Sequence, residues 1–123
     1  MFEQISVYDE DGKGSIEGYK VSSDREQIVN WFAKRFHQKP DLAKNINVAF
    51  LNNLYIDEDS RGEGKGTSLV SSFIEECFDC HFIFLECDNG EDNQFSLLDW
   101  YESFGFEILY NGENPIMVLE NSY

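Results

Sequence analysis

Residues 51–123 contain only two positive charges, Arg61 and Lys65, and both fall in one glycine-rich turn, Arg61-Gly62-Glu63-Gly64-Lys65-Gly66. The same stretch holds sixteen Asp or Glu, a formal −14, whereas residues 1–50 are nearly balanced at eight acids against seven bases. Two cations beside flexible backbone do little for the solubility of so acidic a chain. Their placement reads as provision for a bound anion. Glycines let successive N–H groups point into one concavity, and a following helix adds a positive end of about half an elementary charge. A turn of this kind must join a strand to a helix, and that junction constrains the fold around it.

The flanking segments have the required character. Residues 47–56 read as a long strand with Val48, Phe50, Leu54 and Ile56 on one face, and the pair Asn52-Asn53 marks a bulge. Beyond the turn, Leu69, Val70, Phe73, Ile74 and Cys77 form the buried side of a helix from Thr67 to about Phe78. Residues 82–87 then form an apolar run of buried-strand type. Strand, turn, helix and strand in that order predict a parallel pair with a crossover helix, whose ligands lie beyond the carboxyl ends of the strands.

Upstream, residues 4–8 and 15–21 read as strands around the turn Asp9–Gly14. A helix over 24–37 carries Ile28, Val29, Phe32 and Phe36 inward, and Pro40 follows it as a stop. Downstream, an acidic loop 88–92 leads to a helix over 94–104 with Gly105 as its end signal. Residues 106–110 and 116–119 close the chain as a hairpin over 111–115. The expectation is one α/β domain over residues 1–123. With 41% hydrophobic residues, eleven Phe, six Tyr and two Trp, the chain has the means to fold despite its charge.

A net charge of −15 argues against general binding to nucleic acid or anionic membranes, which requires clustered Lys and Arg. The first fourteen residues show no secretory leader, and no run approaches the roughly 18 apolar residues of a membrane span. A cytoplasmic location is therefore expected. Cys77-Phe-Asp-Cys80-His81 spells the haem-attachment pattern, which belongs to exported proteins and is discounted here. A zinc site from Cys77, Cys80, His81 and Cys87 would require Cys87 from a strand's length away. Reduced thiols and no metal are expected.

Two phosphate-loop patterns fail on spelling. A nucleotide P-loop needs glycine where Asp59 stands and Ser or Thr where Gly66 stands, and the glycines are spaced G-x-G-x-G rather than G-x-G-x-x-G. The pattern that fits is R-x-x-G-x-G, as Arg61, Gly64 and Gly66 after a strand ending Leu54-Tyr55-Ile56-Asp57. Some forty residues on stands Tyr101-Glu102-Ser103-Phe104-Gly105-Phe106. Over roughly residues 47–119 the chain resembles the GCN5-related N-acetyltransferase (GNAT) superfamily. The resemblance implies a mixed twisted sheet with helices on both faces. The chain looks like a compact member, with a hairpin and one helix where full-size members carry a strand and two helices.

The resemblance implies acetyl transfer from acetyl-CoA to a primary amine. Backbone N–H groups of Gly62, Glu63, Gly64, Lys65, Gly66 and Thr67, with Arg61, would hold the CoA pyrophosphate. Leu54, Tyr55 and Ile56 would offer main-chain bonds to the pantetheine and acetyl carbonyl, and Asn93, beside Gln94, would supply a further CoA contact. Tyr101 corresponds to the tyrosine that protonates the leaving thiolate. A phenol with a pKa of about 10 can donate to a sulfur whose thiol pKa is about 8.5. A lysine-type amine is almost wholly protonated near neutrality, so a base is needed, and Glu86 is the first candidate. The acidic surface favours a cationic acceptor, such as a polyamine or a Lys-rich protein segment. Two other readings stay open: a non-catalytic CoA-binding regulatory subunit, and an acidic mimic of nucleic acid. Ser15, Glu17 and the Asn52-Asn53 pair match no signature of the family.

Overall fold

The computed structural model describes residues 2–22, 25–36, 47–56, 64–87, 97–112 and 114–120. Six strands, β1 (Phe2–Tyr8), β2 (Gly14–Ser22), β3 (Asn47–Ile56), β4 (Phe82–Glu86), β5 (Glu107–Tyr110) and β6 (Ile116–Glu120), form one sheet in the order β1-β2-β3-β4-β6-β5. Neighbours are antiparallel except β3 and β4, whose parallel pairing is made possible by the crossover helix α2 (Lys65–Glu76). The two other helices are α1 (Arg25–Phe36) and α3 (Leu97–Glu102).

Alternation along the strands divides the apolar residues between two faces. On one face Ile5, Ile16, Ala49, Leu51, Ile83, Leu85 and Met117 pack beneath Leu69, Val70 and Phe73 of α2, Cys77 at its end, and Leu98, Trp100 and Tyr101 of α3. The opposite face carries Val21, Val48, Phe50, Phe84 and Ile116, with Val29 of α1 against it. Phe50 and Phe84 stack across the parallel pair with ring centroids 5.4 Å apart. Helices thus lie on both faces, as the resemblance implies.

The bulge expected at Asn52-Asn53 is present. Glu17 of β2 opposes Asn53 and Gly18 opposes Leu51, so Asn52 is the extra residue on β3. Gly18 is required there. A Cβ on it would lie 2.6 Å from Phe73 Cζ and closer still to the Phe50 carbonyl oxygen.

Three helix ends differ by two residues from the sequence reading. α2 begins at Lys65 rather than Thr67, because Gly64, at φ 80°, supplies the left-handed residue that turns the chain into the helix. It ends at Glu76, with Cys77 as its cap. α3 ends at Glu102, before a turn closed by the Gly105 N–H donating to the Glu102 carbonyl at 3.0 Å, with Gly105 at φ 105°. Residues 94–96, expected to open α3, lie outside the described residues, as does Pro40.

Candidate functional site

The β3–β4 ladder is short. It runs from Val48↔Phe82 to Leu51↔Leu85 and stops, while β3 continues through Asn52 to Ile56 against β2. β4 meanwhile stays with β6 as far as Glu86↔Ile116. The bulge at Asn52 sits where the ladder ends, and a bulge bends its strand and raises its twist. The sheet is therefore interrupted between its two central strands at their carboxyl ends. The four residues read from the sequence as one face of β3 are divided by the bulge. Val48 and Phe50 lie on the α1 face, whereas Leu54 and Ile56 turn toward the α2 face, where they join the core. Tyr55 faces the other way and is exposed.

The N-terminus of α2 belongs to the same end of the sheet, since Leu69 and Ile56 both crowd the position of Gly14. The first N–H groups of a helix have no acceptor within it. Gly64 supplies no side-chain cap, and the first bond of the turn is Ser68 N–H to the Gly64 carbonyl at 3.1 Å. The N–H groups of Lys65, Gly66 and Thr67 accordingly face out of the helix end, in the positive lobe of its dipole. Gly66 lets α3 approach, because a Cβ there would stand 3.3 Å from the Trp100 ring.

The Lys65 side chain departs from what its isolation in the sequence suggests. Its ammonium donates to Asp9 at 3.0 Å and Asp11 at 3.3 Å, in the β1–β2 turn. The hydrogen bond from Lys65 holds the Asp9 carboxyl below the ordinary carboxylate range, and the same bonds push Lys65 up. This cation ties the hairpin to α2. Its partners were hidden in the sequence because the acidic turn Asp9-Glu10-Asp11-Gly12 reads as surface. Arg61, Gly62, Glu63 and Asn93 lie outside the described residues.

Tyr101, on α3, is buried among Trp100, at a ring-centroid distance of 5.0 Å, and Phe106, at 5.9 Å. Burial pushes its phenol up to about 12, with the neighbouring Cys87 thiol adding to the shift. Cys87 directly follows Glu86, so Tyr101 reaches the carboxyl end of β4 from the α2–α3 face. Glu86 is exposed and lies on the opposite face, in step with Phe82 and Phe84. The two candidate catalytic groups thus flank the interruption from opposite sides.

The cysteines are buried and form no disulfide. The Cys80 N–H donates to the Cys77 carbonyl at 2.9 Å, closing a turn at the end of α2. The hydrogen bond to Cys80, with burial, pushes the Cys77 thiol up. This turn lies at the amino end of β4, away from the interruption. Among the described residues no three His, Cys, Asp or Glu gather as metal ligands, and no helix is long and apolar enough to cross a membrane.

Residues 7–106 match the model of the acetyltransferase (GNAT) family. Among solved structures, an acetyltransferase from Bacillus cereus is 14% identical, with a TM-score of 0.61 over 97% of this chain and 74% of that one. AtaTR bound with AcCoA is 23% identical, with a TM-score of 0.58 over 88% of this chain and 61% of that one. AtaT complexed with acetyl-methionyl-tRNAfMet is 18% identical, with a TM-score of 0.55 over 87% and 61%. The chain thus spans about three-fifths of the length of the last two. No curated protein matches it.

Proposed function

The chain belongs to the acetyltransferase (GNAT) family, and from that premise we propose that it transfers the acetyl group of acetyl-CoA to a primary amine of a cationic acceptor. The observation that carries the reading is the β3–β4 ladder ending at Leu51↔Leu85, beside a helix whose first N–H groups have no side-chain cap. The interruption suits an extended thioester arm, and the helix end suits its pyrophosphate. That a structural neighbour binds AcCoA supports the same ligand here.

In this reading the N–H groups of Gly64 to Thr67 bind pyrophosphate oxygens, and Arg61, Gly62, Glu63 and Asn93 are proposed as further contacts to CoA. The main chain of Leu54, Tyr55 and Ile56 orients the pantetheine and acetyl carbonyl. A strand N–H there holds the oxyanion that develops as the amine attacks, and fixed donors of this kind are among the larger contributions to catalysis. Glu86, directly or through water, takes a proton from the amine. The C–S bond breaks, and Tyr101 gives its proton to the departing thiolate. A phenol with a pKa of about 12 is fully protonated at neutral pH and able to donate.

One neighbour was solved with acetyl-methionyl-tRNAfMet, which raises RNA as an acceptor. The formal −14 of residues 51–123 disfavours it, because phosphate backbones are held by clustered cations. The test is calorimetric titration with acetyl-CoA, followed by mass spectrometry of spermidine, a Lys-rich peptide and aminoacyl-tRNA after incubation. Acetyl-CoA binding with acetylation of the cationic amines supports the reading. Failure to bind acetyl-CoA, or transfer to tRNA alone, overturns it.

A further inference from the structure

The sheet face opposite α2 and α3 changes character along its length. At the amino ends of β3 and β4 it is apolar, with Val48, Phe50, Phe82 and Phe84. At the carboxyl end of β3 the strand register sets two different rows across β1, β2 and β3. Tyr8, Ser15 and Tyr55 form one row, and Ser6, Glu17 and Asn53 the next. These residues share a face, since register partners point the same way and their sequence neighbours Val7, Ile16 and Leu54 pack on the other side. Tyr19 stands two residues beyond Glu17 on β2, again on this face.

Glu17 therefore sits in the middle of a tyrosine-edged surface. Tyr8 and Tyr55 lie on the diagonals, within reach of long side chains, and Tyr19 lies along the strand. Tyr8 is 66% exposed and Tyr55 52%, unusual for large aromatics on a sheet with a well-filled core. Among the described residues no cation pairs with Glu17, although Lys20 and Lys65 both hold carboxylates elsewhere. A carboxylate with aromatic side chains at neighbouring positions of the same sheet face is suited to hold an alkylammonium group.

Resting on the acetyl-transfer reading, we propose that Glu17, Tyr8, Tyr19 and Tyr55 form a subsite for a second positive charge on the acceptor, making the substrate a linear aliphatic diamine or polyamine. The spacing follows from the sheet. Glu17 on β2 and Glu86 on β4 are separated by β3 and the interruption, at least two strand spacings or about 10 Å, and the interruption lies at least one and a half spacings, or about 7 Å, from β2. The reacting amine is placed at the interruption beside Glu86, and the second ammonium about 7–10 Å away over Glu17. Short diamines fail to span that distance, whereas cadaverine and spermidine reach it.

The experiment has a binding arm and a transfer arm. Spermidine is titrated calorimetrically into the chain without acetyl-CoA. Glu17→Gln and Tyr8→Leu should each weaken binding about tenfold, the scale of a partly desolvated cation–carboxylate or cation–π contact. Glu76→Gln removes the same charge from the exposed side of α2 and should leave affinity within about twofold, as expected for a screened surface charge. In the transfer arm, kcat/KM for cadaverine and spermidine should exceed that for n-pentylamine and ethylenediamine about tenfold, and Glu17→Gln should erase the advantage through KM. Equal losses in Glu17→Gln and Glu76→Gln would reduce the effect to net charge and overturn the subsite. So would equal rates for cadaverine and n-pentylamine, or acetylation confined to a Lys-rich peptide. Glu17-dependent spermidine binding by a chain that fails to bind acetyl-CoA would uphold the subsite and sink the acetyl-transfer reading alone.

Discussion

Burial pushes the Tyr101 phenol up to about 12, and the same burial makes Tyr101 part of the core. The two roles separate in Tyr101→Phe, which keeps the ring against Trp100 and Phe106 and removes only the hydroxyl. Turnover should fall about 10²–10⁴-fold, with acetyl-CoA affinity unchanged. A loss below about fivefold would leave Tyr101 a packing residue. The pH dependence has a definite sign. The folded state favours the neutral phenol, so the contribution of Tyr101 to stability is complete below its ordinary value of 10.0 and is lost as pH rises through about 12. Melting curves at pH values between these two should therefore show Tyr101→Phe gaining on the native chain relative to neutral pH. An unchanged gap would place the hydroxyl in water. Gly64 poses a different question. Its φ of 80° is left-handed and a Cβ there meets nothing within 4 Å, so substitution carries only backbone strain, about 1–2 kcal/mol. A folded Gly64→Val variant should nonetheless lose acetyl-CoA, because its side chain occupies the place of phosphate oxygens. Unchanged affinity in calorimetry would move the pyrophosphate elsewhere.

At the scale of elements, the strand–turn–helix–strand unit over 47–87 is legible because each part carries its own periodicity, and the Asn52-Asn53 break shows where apolar alternation fails. The start of α2 reads two residues late. Gly66 is a poor helix former, and its close approach to Trp100, invisible in the sequence, accommodates a glycine inside the first turn. The partners of Lys65 were not readable, since Asp9 and Asp11 are more than fifty residues away and meet it through the register of three strands. The same register brings Tyr8, Glu17 and Tyr55 together, residues whose separations in sequence carry no periodic signal. Gly18 tests the bulge directly. With Phe73 and the Phe50 carbonyl occupying the space of its missing side chain, Gly18→Ala should cost about 3 kcal/mol, as overpacking in a core does. A melting temperature within a degree or two of the native chain would show the bulge to be pliable. Lys65→Met leaves the helix end intact and frees the β1–β2 turn. Amide exchange should quicken at Gly12 and Asp9, whose N–H groups close that turn, while acetyl-CoA affinity changes little. A large loss of affinity would assign the ammonium to the ligand after all.

The molecule as a whole carries −15, and its distribution is uneven, with −14 in residues 51–123. Charge so placed opposes the approach of CoA, itself an anion, and favours a cation. The two substrates should therefore answer salt in opposite directions. Screening confines such fields to about 8–10 Å at physiological ionic strength, so the effect belongs to encounter rates more than to bound contacts. Between low and moderate salt, kcat/KM for spermidine should fall as the attraction is screened, while the association rate of acetyl-CoA should rise or stay level. The Glu17 subsite adds a component that screening weakens less, because its charges lie close together against aromatic rings. Glu17→Gln should therefore lower spermidine kcat/KM at every salt concentration and leave the slope against ionic strength nearly intact, whereas neutralising several exposed acids of α2 and β5 should flatten the slope. If Glu17→Gln alone flattened it, the acceptor would be drawn in by one carboxylate rather than by the field of the chain. A native profile independent of salt would remove the acidic surface from the argument about substrate and leave recognition to the tyrosine-lined face.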